Sequence, residues 1–162
     1  MIRRVYSYVA YRLGEGPEAE DVTSEVFERA LRYRKSFDRR RGEPVQWLLG
    51  IARKCVDGAL AARPPLAAQP PELEAPGDLE QDSLLRLELR EAFAELSEHD
   101  RELLAFRYGA DLTSRQIAEL LGQRTNTVEV GLHRALERLR RRLEREEPSS
   151  EAAEPLGEGV RV

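Results

Sequence analysis

Cysteine is all but missing from this 162-residue chain, which holds only Cys55. A single thiol rules out an internal disulfide and a cysteine-rich metal site, and a buried structural thiol is the role left to it. Histidine is nearly as scarce, with His99 and His133 the only two, so we expect no metal and no cofactor. Long apolar runs are missing too. No stretch approaches the roughly 18 continuous apolar residues of a membrane span, and Met1 to Gly14 alternates polar and apolar residues, unlike a signal peptide. The expected location is cytoplasmic, with no part embedded in a membrane. The sequence also lacks a carboxylate pair, a nucleophile beside a base, a glycine-rich phosphate loop and a metal-ligand set. The expectation is therefore a non-enzyme without a small-molecule substrate.

What is present is short and rich in charge. With 41% apolar residues, a chain of this length builds one domain or two small ones. The formal net charge of -4 would oppose binding to a polyanion if it were evenly spread. However, residues 1–63 carry 13 basic and 9 acidic groups, 64–99 carry 2 and 9, and 100–147 carry 10 and 9. The acidity sits in the middle and the tail. The last of those three segments is only +1, so attraction to phosphate there must come from local clustering. Residues 64–82 hold Pro64, Pro65, Pro70, Pro71 and Pro76 among Glu72, Glu74, Asp78, Glu80 and Asp82, which reads as an extended acidic linker. Before it, periodicity predicts a short helix over Val5–Leu13, a stronger one from Pro17 to about Lys35 and another over Val45–Ala62. After it come helices near Ser83–Leu96, Glu98–Tyr108 closed by Gly109, Ser114–Leu121, and a long last one. The predicted fold is all-α, with a three-helix domain over 1–63 and a four-helix domain over 83–147. A flexible, acidic, proline-rich linker over 64–82 joins them, and residues 148–162 are left without structure.

The clearest motif runs from Thr113 to Leu136. Thr113 can cap a helix with its hydroxyl while Gln116 returns the bond, and Ile117, Ala118, Leu120 and Leu121 supply the apolar face. Gly122 sits where a left-handed residue ends that helix, and after a short turn Thr125 or Asn126 can cap the next. The second helix carries Val128, Leu132, Ala135, Leu136, Leu139 and Leu143 on one stripe, to pack on the first where the small Ala118 permits close approach. Its outer side then presents Asn126, Thr127, Val130, Arg134 and Arg141, flanked by His133 and Arg138, with Arg124 and Thr125 at the leading end. Amides, hydroxyls and guanidinium groups bond base edges and phosphates, and Val130 can touch a thymine methyl. This is a helix-turn-helix suited to a DNA groove. The plainer alternative is an amphipathic hairpin whose arginines, from Arg138 to Arg145, are a solvated face.

In the helix from Pro17, the residues Ala19, Val22, Val26, Ala30 and Tyr33, extended by Phe27 and Leu31, fall on one side. Asp21, Glu25, Glu28 and Arg32 fall on the other. Taken alone, these acids are accounted for by a solvated face with i,i+4 pairs such as Glu28 with Arg32. Taken in order, a set of segments points further. They are Ala19-Glu20-Asp21-Val22-Thr23-Ser24-Glu25-Val26-Phe27, Trp47-Leu48-Leu49-Gly50-Ile51-Ala52-Arg53, Leu96-Ser97, Arg101-Glu102-Leu103-Leu104, Arg107-Tyr108, Ile117-Ala118 and Leu132-His133-Arg134-Ala135. Over roughly residues 4–145 they resemble bacterial RNA polymerase sigma factors of the extracytoplasmic-function type.

The resemblance implies that the first domain is sigma region 2 and the second region 4, with regions 1 and 3 absent. It assigns Asp21, Ser24, Glu25 and Glu28 to the clamp helices of the polymerase beta-prime subunit. It assigns Trp47, Arg53, Lys54 and Arg63 to the minus-10 element of promoter DNA, Trp47 being either a core aromatic or a base-stacking platform. The helix-turn-helix would read the minus-35 element through Arg124, Thr125, Asn126, Thr127, Val130, His133, Arg134 and Arg138, with Arg115 on a phosphate. Implied partners are core RNA polymerase, including its beta flap, and promoter DNA, while an anti-sigma factor, common in the family, is left open. Three departures stand out. Where relatives carry an Asn, an Asp-aromatic-Leu and an arginine run, this chain has Lys54 and then Gly58-Ala59-Leu60-Ala61-Ala62. Where relatives often carry a basic residue, a serine and an arginine, it has Glu129, Val130 and Gly131. The first helix of region 2 is also short, so either the start is misassigned or the first domain is thinly packed. Two alternatives to a sigma factor follow, namely a degenerate sigma-like adaptor that binds polymerase or a regulator without opening promoters, and an ordinary helix-turn-helix regulator.

Overall fold

Helix α1 (Ile2–Leu13) buries Val5, Tyr8, Val9, Arg12 and Leu13, the i, i+3, i+4, i+7 spacing of one helical face. The computed structural model from which this is taken describes residues 1–64 and 80–146. The expectations for most of the linker and for the tail lie outside the described residues. Gly14 and Gly16, at φ 91 and 127, turn the chain through backbone that side chains rarely adopt, and Pro17 then opens α2 (Pro17–Arg32). This helix buries Ala19, Val22, Thr23, Val26 and Ala30. The Thr23 hydroxyl is satisfied within the helix, donating to the Ala19 carbonyl at 2.7 Å. Helix α2 stops at Arg32, short of Lys35, which leaves Tyr33 beyond it and exposed, while Leu31, inside the helix but off its buried face, is exposed as well.

Two 3-10 turns, Arg34–Ser36 and Arg39–Arg41, lead to α3 (Pro44–Ala62), whose Val45, Leu48, Leu49, Ala52, Cys55 and Val56 face inward. Burial pushes the Cys55 thiol above its ordinary value and keeps it protonated. Helix α4 (Glu80–Ala94) begins ahead of the expected Ser83. Its Leu84, Leu85, Leu87 and Leu89 are exposed. Helix α5 (Glu98–Leu104) is capped by Ser97, whose hydroxyl accepts the Asp100 N–H at 3.2 Å. The predicted single helix through Tyr108 is not what forms. Residues Ala105–Gly109 widen into a π turn, and the Ala110 N–H reaches back to the Ala105 carbonyl at 2.9 Å. Then come α6 (Ser114–Leu121) and α7 (Thr125–Glu146). Among the described residues there is no strand.

The two helical halves share one apolar core. Helix α1 lies on the π turn, and Tyr8 stacks on Phe106 with ring centroids 4.6 Å apart, both fully buried. Burial also pushes the Tyr8 phenol far above its ordinary value, so it stays neutral. Tyr11 meets Phe93 edge-on at 5.7 Å. This seam explains the π turn: the wider turn delivers Phe106 to α1, and the stacking and burial offset the poorer helical geometry.

Candidate nucleic-acid interface

The predicted capping box closes α6. The Thr113 N–H donates to Gln116 Oε1 at 2.9 Å and the Gln116 N–H donates to Thr113 Oγ1 at 3.2 Å. Gly122, at φ 66 and ψ 31, ends the helix in the left-handed region, and the Gln123 N–H returns to the Ala118 carbonyl at 2.9 Å. Helix α7 starts at Thr125, with the Arg124 carbonyl accepting the Val128 N–H. Thr125 and Asn126 thus sit in its first turn instead of ahead of it.

Val128, Leu132 and Ala135 are buried against the rest of the fold, while Leu136, at the edge of the stripe, is 39% exposed. The opposite face is left to solvent, and it carries Arg124, Thr125, Asn126, Thr127, Val130, His133 and Arg134 together. Among the described residues, Arg124, Arg134 and Arg141 enter no ion pair, so their charge is uncommitted. Two other predicted contacts are engaged within the chain. Arg138 grips the buried Asp100 at 2.7 and 2.9 Å, tying α7 to α5, and Arg115 pairs with Glu119 at 3.0 Å. Gly131 faces Leu103 of α5. A Cβ there would lie 2.8 Å from Leu103 Cδ1, a side chain that is itself buried. A side chain at this point would require Leu103 to shift.

In the N-terminal half, a groove of about 710 Å³ opens between the 3-10 turns, α3 and the edge of α6. Tyr33, Phe37 and Trp47 line it with Arg41 and Lys54, a mixture of ring faces and cations that suits stacked bases and phosphates. Trp47 is half-buried against the core and tilted on Phe37 at 5.5 Å. Its ring thus packs partly on the core and partly lines the groove. Of the four residues assigned here from sequence, Trp47 and Lys54 are brought together. Arg53 is turned away, donating to Glu102 Oε1 at 2.7 Å, and Arg63 pairs with Glu18 and donates to the Leu13 carbonyl at 2.8 Å. The sequence reading passed over Arg39, Arg40 and Arg41, all exposed on a turn that Asp38 caps through the Arg40 N–H at 2.9 Å. Their signal was five cations between Arg34 and Arg41, hidden when charge was summed over the whole half.

On α2, Asp21, Ser24 and Glu28 are exposed. The Ser24 hydroxyl donates to the Glu20 carbonyl at 3.0 Å, and Glu25 pairs with Arg29 at 2.6 Å. Of the acidic stripe, Asp21 and Glu28 enter no ion pair among the described residues. Among the described residues, no group of His, Cys, Asp and Glu is placed to hold a metal, and no helix is long and apolar enough to cross a membrane.

Residues 1–59 match Sigma-70 region 2, and residues 86–139 match Sigma-70, region 4. The chain belongs to the sigma-70 family. It is similar to the ECF RNA polymerase sigma factor BldN of Streptomyces coelicolor, with 31% identity over 147 residues, 86% of this chain and 56% of that protein. The chain thus spans little more than half the length of BldN. To the ECF RNA polymerase sigma factor SigK of Mycobacterium ulcerans it is 25% identical over 146 residues, 85% of this chain and 78% of that one. In fold it is similar to the sigma factor RpoE from Bartonella quintana, solved in complex with the anti-sigma factor NepR. The TM-score is 0.65 at 17% identity, covering 90% of this chain and 92% of that one. Region 2 accordingly holds α1 to α3 and most of the groove lining, and region 4 holds the exposed face of α7.

Proposed function

We propose that this sigma-70 family member directs core RNA polymerase to promoters, carrying out no covalent chemistry of its own. Region 4 reads the minus-35 element with the outer face of α7. Region 2 takes the minus-10 strand in the groove of Trp47 and Lys54 and docks on the beta-prime clamp helices through Asp21, Ser24, Glu25 and Glu28. The exposed leucines of α4 offer apolar surface to the beta flap, and an anti-sigma factor is a further candidate partner. The observation that carries the reading is the face of α7, where exposed amide, hydroxyl and uncommitted guanidinium groups stand together opposite the buried Val128, Leu132 and Ala135. Arg53 and Arg63, both held by carboxylates, favour a second reading, an adaptor that binds polymerase without opening promoters. Run-off transcription with purified core enzyme separates the two, because the adaptor yields core binding and no transcript.

Two substitutions test the assignments. Arg134→Ala is expected to weaken binding to a cognate minus-35 duplex by about 1–3 kcal/mol, roughly 5- to 150-fold, and unchanged affinity in a fluorescence titration would remove Arg134 from base contact. Reversing Asp21 and Glu25 to lysine is expected to weaken core binding at least about tenfold, since like charges across a docked face cost several kcal/mol. A pull-down that matches the unaltered chain would refute the docking face.

A further inference from the structure

We propose that Glu129 sets a base preference in region 4, selecting a cytosine in the minus-35 element. The proposal rests on the reading of the outer face of α7 as the minus-35 contact, and adds the chemistry that one residue of that face selects. Glu129 is exposed near the leading end of α7, on the surface that also holds Asn126, Val130, His133 and Arg134. Among the described residues it enters no ion pair and no hydrogen bond. Farther along α7, Glu137 and Glu144 are placed differently, on either side of Arg140 at 3.4 and 3.6 Å. The positions three and four residues from Glu129, where a helical partner would stand, hold Thr125, Asn126, Leu132 and His133, with no lysine or arginine among them.

Stability gives this carboxylate little to do. Helix α7 begins at Thr125, so Glu129 is past the first turn, where the helix dipole favours an acid. On a face that must approach phosphates, an unpaired carboxylate lowers affinity for every duplex. That cost is offset only where docking brings the carboxylate a donor.

The major groove offers few donors. Guanine shows its N7 and O6 acceptors there and thymine an O4 acceptor beside a methyl group, while cytosine shows an N4 amino donor and adenine an N6 amino donor next to the N7 acceptor. An ionised carboxylate only accepts. Against guanine or thymine it meets lone pairs, and on adenine one oxygen bonds N6 while N7 repels the other. Cytosine alone presents a donor with no acceptor beside it. The order is therefore cytosine, then adenine, with guanine and thymine rejected. The neighbours of Glu129 do not supply this readout, because Val130, 41% exposed, brings only methyl groups and Arg134 only donors. A glutamine in the same place would put adenine first, since its amide accepts from N6 and donates to N7.

The experiment assembles the full chain, its Glu129→Gln variant or its Glu129→Ala variant with core RNA polymerase, selects from a pool of duplexes randomised across both promoter elements, and sequences the bound DNA. For the unaltered chain, one minus-35 position should enrich cytosine by about fivefold or more over the other bases, the lower end of what one base contact discriminates. Glu129→Gln should move that position from cytosine to adenine and Glu129→Ala should flatten it, while the remaining positions hold their preferences. Glu129 is exposed and bonded to nothing in the chain, so neither change disturbs folding. Variants that enrich the same sequence as the unaltered chain overturn the proposal, and so do variants that bind every sequence more tightly by a common factor, the mark of a carboxylate set against phosphate. A position that responds to the variants but prefers another base in the unaltered chain overturns it too. A minus-35 region without enrichment at any position, in all three chains, removes the minus-35 reading itself, whereas preferences that persist unaltered leave that reading standing and remove only the role of Glu129.

Discussion

Replacing Phe106 by alanine is expected to lower the unfolding free energy by about 3–5 kcal/mol. The ring is fully buried in the π turn and stacks on Tyr8, itself fully buried. The substitution therefore removes apolar transfer energy, leaves a cavity between α1 and the turn, and forfeits an aromatic pair of about 0.5–1.5 kcal/mol. Against a total of roughly 5–15 kcal/mol for a folded protein, the loss is large. It should lower the melting temperature by roughly 10 °C in a chain of this size. Thermal unfolding followed by circular dichroism measures it. A loss under about 0.5 kcal/mol, the size of a surface substitution, would mean that Phe106 meets water in solution and that the shared core does not form.

The second large effect is electrostatic. Glu102→Leu is expected to cost about 3 kcal/mol, because it strands the buried Arg12 guanidinium. Arg12 Nε already has no partner, and its other carboxylates, Glu98 at 3.1 Å and Asp57 at 3.5 Å, are half exposed and so weakly coupled. Arg53 also loses Glu102, yet its own partial exposure lets water take over. The diagnostic measurement is a double-mutant cycle. Adding Arg12→Met to Glu102→Leu should restore most of the lost stability, since an apolar pair of similar volume strands no charge. If the two losses simply add, the ion pair is not the source of the cost.

Local chemistry was legible along the chain. The Thr113 and Gln116 box, the left-handed Gly122, the inward stripe of α7 and its polar outer face all follow from bonds and periodicities within a few residues, and the structure contains them where the spacing placed them. The acidic face of α2 was legible for the same reason. The ends of elements were less so. The departure of Tyr33 from the buried stripe depends on α2 stopping at Arg32, and the π turn at Ala105–Gly109 depends on what Phe106 packs against.

The candidate strand-binding groove divides along the same line. Trp47 and Lys54 are close in sequence on one helix, and their meeting could be expected. Arg53 and Arg63 lie on or beside that helix, but their partners Glu102 and Glu18 lie 49 and 45 residues away. No periodicity reports such a pairing.

By itself, then, the sequence determined most of the helices, the Thr113 and Gln116 cap, the two-part organisation and the polar face of α7, because these are written in contacts within one or two helical turns. Only the tertiary structure decided that Arg12 and Glu102, 90 residues apart, would share a buried bond, that Gly131 would face Leu103, and that the two halves would share one core. These depend on burial, and burial is a property of surfaces that meet only after the chain has folded.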